Sequence, residues 1–163
     1  KPRKVIVSFP QGNDNGQKLR VPGQGLPGPT NGSPGDLYVE IAVEDDPRFE
    51  RDGADLVTRA HLTFSDAALG AEIPVPSLGK SIDDKDATVS VKIPPGTQPG
   101  AVLSMKGEGV PRLDGRGRGS LVIVVEVDVP LALTARAKEL LAELDAELRN
   151  NVDAARAKHG KSK

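Results

Sequence analysis

The stretch VIVSFPQGNDNGQKLRVPGQG (residues 5–25) decides the fold, because its pattern of apolar residues, prolines and glycines returns later in the chain. The second copy, VSVKIPPGTQPGAVLSMKGEG (residues 89–109), aligns without a gap at an offset of 84 residues. The correspondence continues to residues 43 and 127, with 12 identical pairs among 39 positions. Glycine permits positive φ and proline fixes φ, so the shared residues set backbone geometry. The repeat is therefore a repeat of a fold, and two β units are expected.

The composition favours a β-rich chain with modest cores. Of 163 residues, 18 are glycine and 14 are proline, aromatic residues make up only 2%, and tryptophan is absent. The cores must then be built from valine, isoleucine and leucine. The net charge of −1 gives no electrostatic reason to expect nucleic acid, and aromatic residues that could stack on bases are few. No apolar run approaches the ~18 residues of a membrane span, so no membrane partner is expected.

The inventory of reactive side chains points away from catalysis. The chain has no cysteine, which excludes disulfides and thiolate metal sites within it. His61 lies in a predicted strand without a second ligand nearby, so we expect no metal or other cofactor in this chain. The pair Asp45 and Asp46 lies in a loop, where adjacent acids are usually solvated. We therefore expect no enzyme activity, and the lack of cysteine fits a reducing compartment, taken to be the cytoplasm.

The letters of a dinucleotide-binding fingerprint, G-x-G-x-x-G, occur at residues 23–28. That motif needs glycines that open a helix facing the pyrophosphate. Pro22 and Pro27 do not allow a regular helix here, and the repeat copy has Arg112 where the third glycine should be. The sequence therefore predicts a Gly/Pro loop rather than a phosphate site.

A basic loop follows the second copy, with Arg112, Arg116 and Arg118 between glycines. Two interpretations are open: a solvated flexible loop, or a contact for an acidic peptide. The flexible loop is favoured, because glycine-rich charged loops are usually solvated.

Alternation of apolar and polar residues predicts the strands, which end at prolines and glycines. A short helix is predicted over residues 64–69, with Ser65 as its cap and Gly70 as its stop. Residues 44–53 are predicted to form a charged connector, in which Phe49 plugs a gap between packed units. The predicted strands cover residues 5–9, 18–21, 37–43, 56–62, 73–75, 88–93, 102–105 and 121–129.

The C-terminal part differs from everything before it. Thr134 is a good helix N-cap, and after it four leucines recur at helical spacing. The stripe could pack on its own domain, but a narrow terminal stripe that follows Pro130 favours a second copy of the chain. The leucines expected to form the dimer are Leu140, Leu141, Leu144 and Leu148. Residues 151–163 are polar and are predicted to be a frayed tail.

The first β unit lacks an opening half. The second unit has strand material before its copy of the repeat, from Leu56 to Ile73, whereas the first begins directly at the equivalent of Val89. Residues 1–46 are thus predicted to be the second half of a domain. Half of a sandwich leaves an apolar face open, which either binds something or is completed by another segment.

Several stretches together resemble the C-terminal substrate-binding and dimerisation region of DnaJ-type (J-domain) co-chaperones. The resemblance runs from Val5 to about Leu148 in the family's order. It rests on VxVxFPxGxxxG (5–16), GQG (23–25), GDLYV (35–39), DPRFERDGADL (46–56), AALG (67–70), KIPPGTQPG (92–100) and KGEG (106–109).

The resemblance implies a mainly β fold: two tandem β-sandwich-like domains with short helices, plus a C-terminal helix. Residues 1–46 would be the second half of the client-binding domain I, residues 47–130 domain II, and residues 131–150 the dimerisation helix. It also implies a shallow apolar groove for unfolded polypeptides in domain I. The residues that we assign to this groove are inferred from the alternation of apolar and polar residues along the predicted strands. The residues expected to bind the client are Val7, Phe9, Leu19, Val21, Leu37, Val39 and Ile41.

The implied function is that of a homodimeric co-chaperone fragment, which binds unfolded polypeptides and delivers them to a DnaK-type chaperone in the full-length protein. The family's J domain carries a His-Pro-Asp motif, which this chain lacks, so this chain alone is not expected to stimulate the partner's ATPase. Many members also carry a cysteine-rich zinc module, which in the parent protein would lie upstream of this chain. The alternative from another class is a β-rich interaction scaffold that holds no client.

Overall fold

The computed structural model describes residues 4–29, 32–79, 84 and 86–159, with the helix backbone alone from residue 152. Contacts divide the chain into a β-rich unit, Lys1–Asp128, and a helical unit, Val129–Lys163. The mainly β fold with a C-terminal helix is confirmed. The elements are β1 (Lys18–Val21), β2 (Leu37–Glu40), β3 (Glu50–Asp52), β4 (Asp55–Leu62), α1 (Phe64–Leu69), β5 (Ala71–Pro76), β6 (Thr88–Ile93), β7 (Val102–Pro111), β8 (Arg118–Val127) and α2 (Ala135–His159).

Three sheets make up the β-rich unit. The largest has the order β3-β4-β8-β7, in which β4 and β8 are parallel and the other pairs are antiparallel. Two antiparallel pairs, β1-β2 and β5-β6, complete the unit. Strand β3 falls inside the segment that the sequence predicted as a connector, so that prediction was wrong for residues 50–52.

The core lies between the four-stranded sheet and the β5-β6 pair with α1. Alternation along β4 and β8 places one face of each strand inside, because successive side chains of a strand point to opposite faces. Phe49 packs against this core from its loop, with the Arg48 guanidinium 5.1 Å from the ring centroid. The buried apolar residues are Leu56, Ala60, Leu62, Ala67, Val75, Val91, Ile93, Val110, Leu121, Ile123 and Val125.

The internal repeat predicted from the sequence is present in the strand pairing. In the first repeat unit, residues 5–43, Leu19 lies opposite Val39. In the second unit their counterparts, Leu103 and Ile123, lie opposite each other in the same register. The β1-β2 pair is therefore the structural copy of the β7-β8 pair.

The strand predicted over residues 5–9 is not formed, although its counterpart β6 is a strand. β6 pairs along its length with β5, from Ala71–Ile93 to Pro76–Thr88. No described residue pairs with residues 5–9 in this way. Alternation alone does not make a strand, because the backbone N–H and C=O groups need a partner.

Helix α1 begins with a different cap from the one predicted. Thr63, not Ser65, is the N-cap, and its Oγ1 accepts a hydrogen bond from the Asp66 N–H at 3.1 Å. The Asp66 carboxylate in turn accepts from the Thr63 N–H, also at 3.1 Å, which closes a capping box. Side-chain and backbone hydrogen bonds from Thr63 hold the pKa of Asp66 below its ordinary value.

Helix α2 begins where the sequence predicted. The Ala137 N–H donates to Thr134 Oγ1 at 3.2 Å, so Thr134 caps the helix. The backbone remains helical to His159, whereas the sequence predicted fraying after residue 150. Pairs of opposite charge one turn apart, such as Asp145 and Arg149 at 2.8 Å, support the solvent-exposed faces.

Candidate functional site

The β1-β2 pair presents one apolar face, which we call the β1-β2 face. Leu19 lies directly opposite Val39, and Val21 lies opposite Leu37. Residues opposite each other in an antiparallel pair point to the same side of the sheet, so these four side chains form one surface. The hydrogen-bond ladder continues to Ile41, whose N–H donates to Gln17 O at 2.9 Å. All five of these residues are half-buried.

Asp36 holds the loop that joins the two strands. Its carboxylate accepts from the Gly23 N–H at 3.0 Å and from Arg20 Nε at 2.6 Å. The hydrogen bond from Gly23 and then that from Arg20 lower the pKa of Asp36. The G-x-G-x-x-G stretch lies in this loop and leads into strand β2 rather than into a helix, as the prolines predicted.

The counterparts of the β1-β2 face are fully covered in the second unit. Leu37, Val39 and Ile41 correspond to Leu121, Ile123 and Val125, which have no exposed surface. There the parallel neighbour β4 and the β5-β6 pair close the core over them. The first unit has no such cover among its described residues. The same apolar pattern is thus fully buried in one copy and half-buried in the other.

Val7 and Phe9 do not join the β1-β2 face, since their segment forms no strand. Val7 is half-buried, whereas Phe9 is 61% exposed. Their counterparts, Val91 and Ile93, are buried core residues of the second unit. Of the seven residues predicted to bind a client, the structure brings five together on one face, and it places Phe9 at a neighbouring cavity that Ile41 also lines.

That cavity, the junction cavity, has a volume of about 570 Å³ and lies entirely within the β-rich unit. Residues 9–13, Ile41 and residues 43–46 form one wall, and parts of β3, β4, β7 and β8 with Phe49, Leu78 and Gly79 complete the lining. The sequence did not predict it, because it depends on two segments far apart in the chain. The one sequence signal is the repeated Gly12: a Cβ at this position would overlap the Pro111 carbonyl oxygen.

Arg51 fixes the wall formed by residues 12–14. Its guanidinium donates to Asn13 O at 2.8 Å and to Gly12 O at 2.9 Å, and it pairs with the Asp14 carboxylate at 2.7 Å. A planar guanidinium that reaches three acceptors holds a segment in one geometry better than a point charge would. Arg51 is therefore a structural side chain of the junction.

The basic loop after β7 is partly structural and partly solvated. Arg118 is half-buried and donates to Gly109 O at 2.9 Å. Arg112 and Arg116 are exposed, and Arg116 lies 3.8 Å from Asp114 in the same loop. Arg112 and Arg116 are therefore solvated, as the sequence favoured, whereas Arg118 stabilises the fold.

His61 lies in a row of charged side chains on the solvent face of β4 and β8. Its Nδ1 is 3.1 Å from the Asp128 carboxylate and 3.7 Å from that of Glu126. Arg59, on the same strand, pairs with Glu126 at 2.6 Å. The hydrogen bond that the ring donates to the Asp128 carboxylate raises the pKa of His61 above its ordinary 6.5. This arrangement is a surface ion-pair network, not a nucleophile with its base.

We expect the Asp128→Asn substitution to lower the pKa of His61, because it removes the largest cause of the increase. A pKa raised by folding adds stability that is fully present below the unfolded pKa and is lost as the pH rises through the folded pKa. The variant should therefore lose stability in the acidic range and match the wild type at alkaline pH.

Histidine ring signals followed by NMR across the pH range test this. The chain has only one other histidine, His159, so a His159→Gln background leaves one ring to follow. Glu126→Gln is the matched control and should lower the pKa less, because Glu126 contributes only a minor coulombic effect. An unchanged His61 titration in Asp128→Asn would contradict the assignment.

The helical unit carries a second apolar surface. Four leucines lie at helical spacing on α2, and each keeps a large fraction of its surface exposed. These are Leu140 (47%), Leu141 (44%), Leu144 (38%) and Leu148 (44%). Within the described part of the helical unit, no other helix or strand covers this stripe. In the same part of the chain, none of the helices combines the length and the apolar character that a membrane crossing needs.

The chain thus consists of a β-rich unit with an apolar strand pair and a helical unit that follows it in sequence. Proteins with a similar sequence identify its family. Residues 1–130 match the family model described as the DnaJ C terminal domain. Because the match covers most of the chain, the protein belongs to the DnaJ C-terminal domain family. This confirms the resemblance read from the sequence.

Curated relatives carry the name "Chaperone protein DnaJ". The chain is 48% identical to that of Geobacillus sp. (strain WCH70) over 146 residues, which is 89% of this chain and 36% of the relative. It is 42% identical to the protein of Syntrophotalea carbinolica over 145 residues, 89% of this chain and 37% of the relative. It is 44% identical to that of Clostridium kluyveri over 141 residues, which is 86% of this chain and 35% of the relative. The chain thus spans little more than a third of the length of these relatives, which are named as chaperones rather than as enzymes.

Proposed function

We propose that this chain is the client-binding and dimerisation part of a DnaJ-type co-chaperone. It binds unfolded or partly folded polypeptides and, within a longer parent protein, delivers them to a DnaK-type chaperone. The proposed client-binding residues are those of the β1-β2 face together with Val7 and Phe9. A cytoplasmic location is part of the same proposal.

One observation carries the proposal: residues that are core in the second repeat unit are only half-buried in the first, where the described residues include no counterpart of β4 and β5. Leu37, Val39 and Ile41 keep the alternation of a core strand while their counterparts have no exposed surface. Such a face gains free energy when an apolar segment covers it, by about 25 cal/mol for each Å² of apolar surface that the segment removes from water. An extended polypeptide can align along a strand and fill alternate positions with its own apolar side chains. Recognition of this kind depends little on sequence, as a chaperone requires.

The Val39→Asp substitution tests the surface. A carboxylate in the centre of the β1-β2 face would have to lose its hydration when a client binds, so we expect client affinity to fall roughly tenfold or more. The measurement is suppression of aggregation when a denatured enzyme is diluted into the chain. The matched control is Tyr38→Asp, since Tyr38 is the neighbouring residue on the opposite, exposed side of the strand.

Equal suppression by the two variants would show that the β1-β2 face does not bind clients. The circular dichroism spectra of both variants must match that of the wild type. A weaker suppression of aggregation is then not caused by unfolding. If the wild-type chain at molar excess leaves aggregation unchanged, the chain holds no client. The second candidate, a β-rich interaction scaffold, would then be the better description.

The homodimer is proposed from the leucine stripe of α2. In proteins, most helical stability comes from the packing of an apolar face. Burial of four leucines against a second copy would contribute on the order of 6–12 kcal/mol before entropy costs. Two client-binding surfaces on one dimer would also raise avidity for a long unfolded chain.

A further inference from the structure

We propose that Asn15 is a deamidation site, which reacts with the backbone nitrogen of Gly16 only while the β1-β2 pair is open. The reaction converts Asn15 to aspartate or isoaspartate, with water as the only co-reactant. The isoaspartate product loosens the pairing of β1 with β2. The inference goes beyond the proposed function, because it does not depend on whether the β1-β2 face binds clients.

The chemistry of Asn15 follows from the glycine after it. Glycine has no Cβ, so its nitrogen can approach the side-chain amide carbon of the preceding residue without obstruction. A bond forms between Gly16 N and Asn15 Cγ, the bond between Cγ and Nδ2 breaks, and ammonia leaves with the proton of the Gly16 nitrogen. Water then opens the cyclic imide. Cleavage between Cγ and Gly16 N gives aspartate, whereas cleavage between the Asn15 backbone carbonyl and Gly16 N gives isoaspartate.

Both reacting groups are held in the folded chain. The Gly16 N–H donates to Ile41 O at 2.8 Å, and Asn15 Oδ1 accepts from the Val43 N–H at 3.0 Å. The nitrogen must lose its proton before it attacks, and an amide proton in a hydrogen bond is exchanged only after that bond opens. These bonds continue the ladder of the β1-β2 pair, so opening of the pair releases both groups. Asn15 itself is exposed, so water reaches the imide directly.

The second repeat unit has the same hydrogen bond without the reactive amide. The Gly100 N–H donates to Val125 O at 2.7 Å, as Gly16 does to Ile41, and the residue before Gly100 is Pro99. Both glycines have a positive φ, 77° for Gly16 and 80° for Gly100, which favours glycine at this position. The turn therefore needs the glycine but not the asparagine. At this position the reactive Asn-Gly step belongs to the first repeat unit alone.

Isoaspartate in place of Asn15 lengthens the backbone between two anchors. On one side Asp14 pairs with Arg51 at 2.7 Å, and on the other side Gly16 is bonded to Ile41. One additional methylene between the anchors displaces Gly16 from the carbonyl that it pairs with. We therefore expect the converted chain to open its β1-β2 pair more often than the unmodified chain does.

The rate of conversion is measured by tryptic peptide mapping of the whole chain, in which residues 5–18 form one peptide. A synthetic peptide of the same residues, which contains no β2, gives the rate of the open state. Hydrogen exchange of the Gly16 amide in the same buffer measures how often the pair opens. We expect the chain to convert roughly tenfold or more slowly than the peptide, because two hydrogen bonds must break, and by the same factor that protects this amide. Conversion at the peptide's rate would overturn the proposal, as would an Asn15 that stays intact while the Gly16 amide exchanges.

Asn13 and Asn15→Pro are the controls for the reaction itself. Asn13 lies in the same tryptic peptide but precedes Asp14, whose Cβ hinders the attack, so it should convert much more slowly. Asn15→Pro copies Pro99 and should leave that peptide unconverted. Conversion of Asn13 as fast as that of Asn15 would show that the Asn-Gly step is not the reactive site.

Two leucine substitutions test whether opening of the pair controls the rate. Leu19→Ala removes packing from the β1-β2 face and should speed conversion of Asn15 roughly fivefold. Leu113→Ala is the matched control, since Leu113 lies in the basic loop and is 46% exposed, and it should leave the rate unchanged. Equal rates in the two variants would contradict control by the β1-β2 pair.

The effect of conversion is measured on the purified isoaspartate form of the chain. The Ile41 N–H, which donates to Gln17 O at 2.9 Å, should exchange about fivefold faster than in the unmodified chain, as expected for the loss of one hydrogen bond. The Val125 N–H, its counterpart in the second unit, should be unchanged. Asn15→Asp keeps the backbone length and an oxygen acceptor, so its Ile41 exchange should match the wild type. Unchanged Ile41 exchange in the isoaspartate form would show that conversion does not loosen the pair.

Discussion

Replacing Gly119 by alanine is expected to lower the free energy of unfolding of the β-rich unit by about 3 kcal/mol, at the upper end of the usual cost of overpacking. A Cβ built at Gly119 would overlap the carbonyl carbon and oxygen of Ala54 and lie 2.6 Å from Asp55 Oδ1. The Ala54 atoms belong to the backbone and cannot move aside by changing a rotamer. Separation of the segments would also disturb the bond from the Val110 N–H to Ala54 O, now 2.8 Å.

The repeat supplies a matched control, because Gly35 is the counterpart of Gly119 in the first unit. A Cβ at Gly35 would meet only Leu26 O, at 3.8 Å, which is ordinary contact. We expect Gly35→Ala to change stability by less than ~0.5 kcal/mol. Urea unfolding followed by circular dichroism compares the two variants, since the chain has no tryptophan to report by fluorescence. Equal destabilisation by both substitutions would contradict the steric explanation.

The β strands could largely be predicted from the sequence, and the repeat explains why. Alternation with a period of two marked the buried faces of β4 and β8, while glycines marked places where backbones approach closely. The failures have physical causes. Residues 5–9 carry the alternation of β6, but none of the described strands pairs with their backbone groups. The cap of α1 was predicted at Ser65, but Thr63 takes that position because it completes a reciprocal pair of hydrogen bonds with Asp66.

The candidate site could be predicted only in part. The apolar face of β1 and β2 follows from local alternation, which is present in the sequence. The junction cavity does not, because residues 9–13 reach β7 only through tertiary contacts such as those of Arg51 with Gly12 and Asn13. Nor does a sequence reveal that the amide oxygen of Asn13 finds no donor among the residues that the structure describes. Local patterns predict faces, whereas a cavity requires the arrangement of segments in space.

The Leu144→Asp substitution is expected to convert a dimer into a monomer. Leu144 is the most covered of the four stripe leucines and is still 38% exposed, so a partner can bury it further. A carboxylate there would lose its hydration on association. The apolar stripe offers no cation to offset this cost. Two such sites meet in a symmetric dimer, so the penalty counts twice.

Sedimentation at micromolar concentration is the measurement for this helix. The wild type should sediment at twice the 17.1 kDa of one chain, and Leu144→Asp should sediment as a single chain. Glu143→Gln, on a different face of the helix, should leave the dimer intact. Leu144→Ala distinguishes a loss of interface packing from a loss of helical structure, because alanine keeps the helix propensity and removes only the larger side chain. An intermediate mass average for that variant would place the loss at the interface, whereas a Leu144→Asp protein that keeps the wild-type mass would contradict a dimer built on this stripe.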